Sequence, residues 1–445
     1  MLSTHCIIEN IKRVLDEWEN RIVFVEDMID EIKAILGNSL TENEHREILQ
    51  NFYCLKKSLY YLKGQAKCPE LVLAMTGTTS SGKSTLANFL IGEQVLPAAV
   101  REMSAGLVRV KHSHKRKLTI PQTKGASWET GTWENPTASE VCQRLEDAMN
   151  AFRRAEDDDE EIEPVVFEVE WPIRLAERKK ELGLPEGTQV TILDLPGLKA
   201  VNDERNGPII RKNIDKAFCL IAYNAEETDR VKQRTLLNQV VNQVMVLGKK
   251  EVPSVEHSLQ RMLFLLNRID AFWRHENADE QLEKFKGEVT EQLQEKLKEV
   301  LPGQGGIVTQ IEFAQVCFLP ALFAVEADRL WEKPDEQAKI LKKIEKGFEQ
   351  IFPETYFERF PCNFKNLAED QRREIINKTL KCPYAYEFEK YLSSHIVKSL
   401  REILIDELFD KVFQKNSAWY FNRSCNDLRK LYGTGRNTYR IQFLR

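Results

Sequence analysis

The chain has 445 residues, of which 42% are hydrophobic and 30% charged, and its formal net charge is −5. That length has room for roughly two or three domains. The composition is that of a helix-rich globular protein, and the slight acidity argues against bulk nucleic-acid binding. No apolar run approaches the roughly 20 residues of a spanning helix, and the N-terminus lacks the shape of a signal peptide.

Nine scattered cysteines, with no C-x-x-C and no zinc spacing, point to reduced thiols and a cytoplasmic setting. His112-Ser113-His114 could chelate a metal. Beside Lys111, Lys115, Arg116 and Lys117 it reads first as a solvated basic loop.

In chain order, residues 6–64 carry two helical patterns. The first places Ile8, Ile11, Leu15, Trp18, Ile22, Val25, Ile29, Ile32 and Leu36 on one face and stops at Gly37-Asn38-Ser39. The second opens on the capping box Thr41 to Glu44 and carries Ile48, Phe52, Leu55, Leu59 and Leu62. Such a hairpin suits either a neck or a lid packed on its own domain.

Leu71 to Met75 reads as a buried strand, and Thr85 to Ile91 as a helix. Between them Gly77-Thr78-Thr79-Ser80-Ser81-Gly82-Lys83-Ser84 fits G-x-x-x-x-G-K-[ST]. A strand, a Gly-rich turn and a helix N-terminus aim backbone N–H groups at phosphates. Lys83 is then expected to reach the β/γ-phosphates, and the Ser84 hydroxyl to bind Mg²⁺. The motif predicts nucleoside triphosphate binding through residues 77–85.

A long insert follows. Ala138 to Arg154 predicts a helix, and the acidic run Ala155 to Glu163 a solvated loop. Val165 to Trp171 alternates as a strand, expected to pair antiparallel with 189–194 at the sheet edge. Val190 to Leu193 is a buried strand running into Asp194-Leu195-Pro196-Gly197, a D-x-x-G. Asp194 at a strand end can hold Mg²⁺ through water, and the Gly197 N–H can approach a γ-phosphate. Ala217 to Tyr223 is another buried strand, whose end brings Asn224, Glu226 and Asp229 to the nucleotide side.

Met262 to Leu266 leads into Asn267-Arg268-Ile269-Asp270, close to the guanine motif N/T-K-x-D. The Asp270 carboxylate can accept from guanine N1–H and the 2-amino group. Adenine lacks that donor pair, so ATP would leave the carboxylate unpaired at a cost of ~1–3 kcal/mol. Arg268 stands for the usual Lys, and its stem and guanidinium plane can cover the base. GTP is therefore expected over ATP. Val316 to Leu319 reads as a strand before Pro320-Ala321-Leu322, where the Ala321 N–H is expected to touch the guanine oxygen.

These residues resemble the dynamin superfamily, and bacterial dynamin-like proteins most closely. The likeness covers about residues 65–330 and is specific at three motifs. Residues 77–92 followed by Val95-Leu96-Pro97 look like that family's P-loop region, and Asp194-Leu195-Pro196-Gly197 is its favoured second switch. Arg101-Glu102-Met103-Ser104-Ala105 aligns with the first switch and puts Ser104 at the position of a Mg²⁺-binding Thr.

By the same likeness Ser80 helps hold a monovalent cation such as K⁺ and the attacking water. Leu198 and Lys199 stand where other GTPases carry a Gln. The resemblance implies GTP hydrolysis to GDP and phosphate by Ser80, Lys83, Ser104 and Gly197. It also implies self-association through the GTPase face, coupling to membrane remodelling or fusion, and a lipid or protein partner at a membrane periphery. A nucleotide-switched scaffold with negligible turnover is the alternative.

After about 330 the pattern is helical again. Tyr384 to Phe413 places Phe388, Leu392, Ile396, Leu400, Ile403, Leu404, Leu408 and Val412 on one face. The expected fold is an α/β P-loop GTPase domain over 67–330, a mostly parallel sheet flanked by helices. A helical bundle would join an N-terminal hairpin, 1–66, to a C-terminal region, 331–445. The chain is short for a full stalk and membrane tip, so a truncated or reduced stalk is expected.

Overall fold

Leu71, Leu73, Ala74 and Met75 are fully buried in the strand Glu70–Gly77 (β1), which runs through the middle of a sheet. A strand covered on both faces reads as a continuous apolar run, which is why the sequence signal was strong there. The computed structural model describes residues 70–396, apart from 79, 99–105, 126, 158–164, 181–183, 185–186, 196–216, 228–229, 249–258, 260, 274–276, 302–304, 353–354 and 362, with scattered positions between 13 and 64. Most of the expected N-terminal hairpin, and everything after 396, lies outside the described residues.

The chain divides into two compact units: Leu71–Arg178 with Gln189–His395, and Met1–Glu70 with Lys179–Thr188 and Ile396–Arg445. In the first unit β1 is followed by helix Lys83–Ile91 (α1). Strands Leu107–His112 (β2), Lys117–Ile120 (β3) and Gly131–Glu134 (β4) come next, then helix Ala138–Asp157 (α2) and strand Val166–Trp171 (β5). A short helix Arg174–Glu177 (α3) precedes Gln189–Asp194 (β6), Phe218–Asn224 (β7), helix Arg230–Gly248 (α4) and Met262–Asn267 (β8). The remainder is helix Ala278–Val300 (α5), a turn of helix Gly305–Val308 (α6), strand Phe313–Gln315 (β9), and helices Phe318–Arg329 (α7), Pro334–Gly347 (α8) and Glu369–Lys381 (α9). A further helical stretch covers 385–396.

The nine described strands form one sheet in the order β4-β3-β5-β2-β6-β1-β7-β8-β9. The pairs β1–β7, β7–β8 and β8–β9 are parallel, which puts the C-terminal ends of these strands on one side. The pairing expected between β5 and β6 is not made. β2 lies between them, parallel to β5 and antiparallel to β6. The reason is charge complementarity across the strands. Arg109 faces Glu168 and Lys111 faces Glu170 in register, and Arg109 Nη1 donates to Glu168 Oε1 at 2.7 Å. Strands β2 and β3 flank the segment read as a basic loop, and their charged residues hid them.

Apolar side chains of β7, β8, α4 and α5, including Ile221, Leu237, Val240, Leu266, Val289 and Leu293, make one core cluster. A second gathers α7, α8 and α9 around Ala324, Leu341, Ile344, Phe348, Phe360 and Ile375. The boundary expected at 330 therefore falls inside one unit, which runs to His395. Phe89 of α1, Phe318 of α7 and Phe388 form an aromatic trio with ring centroids 5.1–6.1 Å apart. Glu389 accepts from Arg174 and, at 2.6 Å, from Arg178. Among the described residues no helix is long and apolar enough to cross a membrane.

The turn after α1 hangs on one side chain. Asn88 is fully buried; its Nδ2 donates to Leu96 O at 2.8 Å, and its Oδ1 accepts from the N–H groups of Val95 and Leu96 at 3.0 and 2.8 Å. Asn88→Ala would strand the Leu96 N–H and carbonyl, while the Val95 N–H keeps its bond to Glu93 O at 3.0 Å. At ~1–3 kcal/mol for a buried unpaired group, discounted for local relaxation, we expect a loss of about 3 kcal/mol, read by urea unfolding.

Candidate functional site

The loop between β1 and α1 is folded around two glycines that no other residue could replace. Gly77 has φ 141°, and a Cβ there would lie 2.1 Å from the Ala222 carbonyl oxygen of β7. Gly82 has φ 83°, and a Cβ would lie 2.4 Å from Asn267 Nδ2. Thr78 N–H donates to Ala222 O at 3.0 Å and Ser81 N–H to Thr78 O at 3.2 Å. Ser80 takes the left-handed conformation with φ 56°, so the loop curls over the start of α1. Lys83 is buried and its Nζ donates to Thr78 O at 3.2 Å. Thr85 is the third residue of α1. Thr79 lies outside the described residues.

Asp194, the last residue of β6, meets the helix at this point. Ser84 Oγ donates to Asp194 Oδ2 at 2.8 Å. Oδ1 of the same carboxylate is buried with no hydrogen-bond partner. Desolvation raises the Asp194 pKa to about 6, against the Ser84 hydrogen bond and the Lys83 charge, which lower it. A buried, half-satisfied carboxylate beside a serine hydroxyl is the donor set that Mg²⁺ takes, since it binds through one or two protein oxygens and keeps its waters. These residues fit Mg²⁺. No cluster of three or more His, Cys, Asp or Glu that could hold a metal occurs among the described residues, and His112 Nδ1 instead accepts from Ile173 N–H at 3.1 Å. Ser104 and Gly197 lie outside the described residues.

The base side is built on the ends of β7 and β8, where Asn224 and Asn267 are register partners. Asn267 is buried; Nδ2 donates to Ser81 O at 2.7 Å and Oδ1 accepts from Phe318 N–H at 3.1 Å. One amide thus joins the phosphate loop to the start of α7. Arg268 has φ 62°, and its guanidinium pairs with Glu226 of the loop after β7. Asp270 sits in a 3₁₀ turn, Ile269–Phe272, and its Oδ1 accepts from Cys317 Sγ at 3.0 Å.

The last element departs from the sequence reading. Val316 to Leu319 is not a strand; β9 ends at Gln315 and α7 begins at Phe318. Asn267 captures the Phe318 N–H, which starts the helix there. Pro320 is tolerated because in the first turn its missing N–H has no partner to lose. Ala321 is then a fully buried residue of α7, and the turn touching Asn267 and Asp270 is 317–318. Cys317 and Asn88 were both missed, because each acts through a contact that no local spacing announces.

Residues 73–246 match the model of the dynamin family. Over this segment the chain is similar to the dynamin family. The chain is 25% identical over 227 residues to "Dynamin-like protein A" of Bacillus subtilis, an alignment covering 50% of this chain and 15% of that protein. Two structures of an oligomerised bacterial dynamin pair, described as sensing and tethering membranes over long range, align with 14% identity. Their TM-scores are 0.43 and 0.44, with 93% and 94% of this chain and 58% of theirs covered. The chain thus spans a fraction of the length of these relatives. The loop 77–84, Asp194 and β7 all lie inside the matched segment, whereas Asn267, Asp270 and Cys317 lie beyond it.

The raised Asp194 pKa gives a signed prediction. Between the ordinary value of 3.8 and about 6 the folded protein holds a proton that the unfolded chain has lost. Without metal, stability therefore falls as pH rises through that window. Asp194→Asn should raise the melting temperature of the metal-free protein at pH 7, with an upper limit of about 3 kcal/mol. It should also abolish the rise that Mg²⁺ with nucleotide gives the wild type, as checked by thermal melts across pH.

Proposed function

We propose that this chain hydrolyses GTP to GDP and phosphate. The observation that carries the proposal is a glycine-rich loop tied by the Asn267 amide to the turn at 317–318, whose Cys317 holds Asp270, with the Ser84–Asp194 pair at the start of α1. Lys83 and the backbone N–H groups of 77–84 hold the β- and γ-phosphates, replacing the contact Lys83 makes with Thr78 O. Ser84 and Asp194 hold Mg²⁺, with Ser104 joining them from the first switch. When bound, Mg²⁺ supplies positive charge against the phosphate oxygens.

Phosphoryl transfer needs positioned charge more than covalent chemistry, and these residues supply it. Asp270 accepts from guanine N1–H and the 2-amino group, and the stem of Arg268 covers the base. Ser80 and Gly197 address the attacking water and the γ-phosphate, with a monovalent cation such as K⁺ beside Ser80. What supports these last assignments is the family match together with the left-handed Ser80 at the loop's crest.

By the same family match we propose that two GTPase faces associate to complete the site, and that turnover is coupled to membrane remodelling or fusion at a membrane periphery. The alternative, a switch without turnover, predicts GTP binding with hydrolysis near ~10⁻⁴ s⁻¹.

Lys83→Ala should lower hydrolysis by at least about 100-fold and weaken GTP binding, as measured by phosphate release and titration with a fluorescent GTP analogue. Wild-type turnover in that variant would remove the phosphate-loop role. Asp270→Asn should shift preference from GTP towards XTP, because the amide can donate to the xanthine 2-oxo group. An unchanged GTP preference would remove the base-reading role of Asp270.

A further inference from the structure

We propose that Cys317 is a specificity-determining residue: its thiol fixes the orientation of the Asp270 carboxylate and so sharpens the selection of guanine. This rests on the base-reading role of Asp270 proposed above. Cys317 Sγ donates to Asp270 Oδ1 at 3.0 Å, and Cys317 is only 3% exposed, so water does not compete for that bond. The backbone carrying the thiol is pinned as well. Cys317 is the extended N-cap of α7, with φ −120° and ψ 103°, and the next N–H is held by Asn267 Oδ1. The base-reading motif therefore anchors the turn that in return anchors its carboxylate.

The physical need for such an anchor is specific. Rotation about the last torsion of an Asp side chain is broad and roughly two-fold. Guanine presents N1–H and the 2-amino group in the plane of the base, so both bonds form only when the carboxylate lies close to that plane. A carboxylate oxygen has two lone pairs, so Oδ1 can accept from the thiol and from the base together. Fixing the torsion before nucleotide arrives reduces the entropy lost on binding. Burial, and secondly the neighbouring Asp270 charge, push the thiol well above its usual range, so it keeps the proton it donates.

A buried cysteine is more commonly a small apolar filler. The two roles separate in a nucleotide series on the full chain. Binding of GTP, ITP and inorganic triphosphate is measured with Mg²⁺ for the wild type, Cys317→Ala and Cys317→Ser. ITP keeps N1–H but lacks the 2-amino group. The wild type should prefer GTP to ITP. Cys317→Ala should shrink that preference by about 3- to 10-fold, the range for a weak donor to a charged acceptor, with triphosphate binding unchanged. Cys317→Ser, which keeps a donor, should restore it.

If Cys317→Ala leaves the GTP-to-ITP ratio intact, or weakens all three ligands in proportion, the thiol only packs and the proposal is overturned. Should the alanine variant fail to fold, Cys317→Val fills the space without a donor and carries the same test. A wild type that does not distinguish GTP from ITP would instead overturn the reading of Asp270, and the role of Cys317 with it.

Discussion

The Asn267 side chain is the constraint on which the site depends. Its two polar ends are spent on backbone groups from distant parts of the chain, Ser81 O and Phe318 N–H. Both bonds are buried, where losing a partner costs the full desolvation of the group left behind. The amide therefore fixes the distance between the loop proposed to face phosphate and the turn proposed to face the base. Gly82 is part of the same constraint, since a side chain there would occupy the space of Asn267 Nδ2. Strand β8 supplies the rigid support, buried along its whole length and flanked by β7 and β9.

Around this tie burial sets the electrostatics against the charges the site carries. Asp194 is held in a place that penalises its charge, with one oxygen on Ser84 and the other without a partner. Lys83 is folded back onto the carbonyl of Thr78. The Asp194 charge is costly where it stands, and the metal-bound triphosphate proposed above would relieve it. Binding free energy and local stability are thus linked through the same residues.

Much of this was legible from sequence because its causes are local. The phosphate loop needs glycines at positions of positive φ, flanked by a strand and a helix, and 70–91 delivers all three in order. Strands β6, β7 and β8 announce themselves as continuous apolar runs. Strands β2 and β3 did not, because Arg109, Lys111 and Lys117 interrupt the alternation and find their carboxylate partners only across the sheet. The pairing of β5 failed for the same reason. The turn at 317–318 was set three residues late because its position is chosen by Asn267, 51 residues away in sequence, and not by its own residues. Ser104, Thr79, Gly197 and the terminal helices stay as expectations drawn from sequence alone.

The central claim is that this chain uses guanine nucleotide as a substrate. Turnover of GTP and ATP, measured against protein concentration with Mg²⁺ and either K⁺ or Na⁺, tests it most directly. The account predicts hydrolysis specific to GTP, with activity per molecule that rises with concentration and depends on K⁺. Equal or faster turnover of ATP, or flat GTP turnover near ~10⁻⁴ s⁻¹ at every concentration, would contradict it.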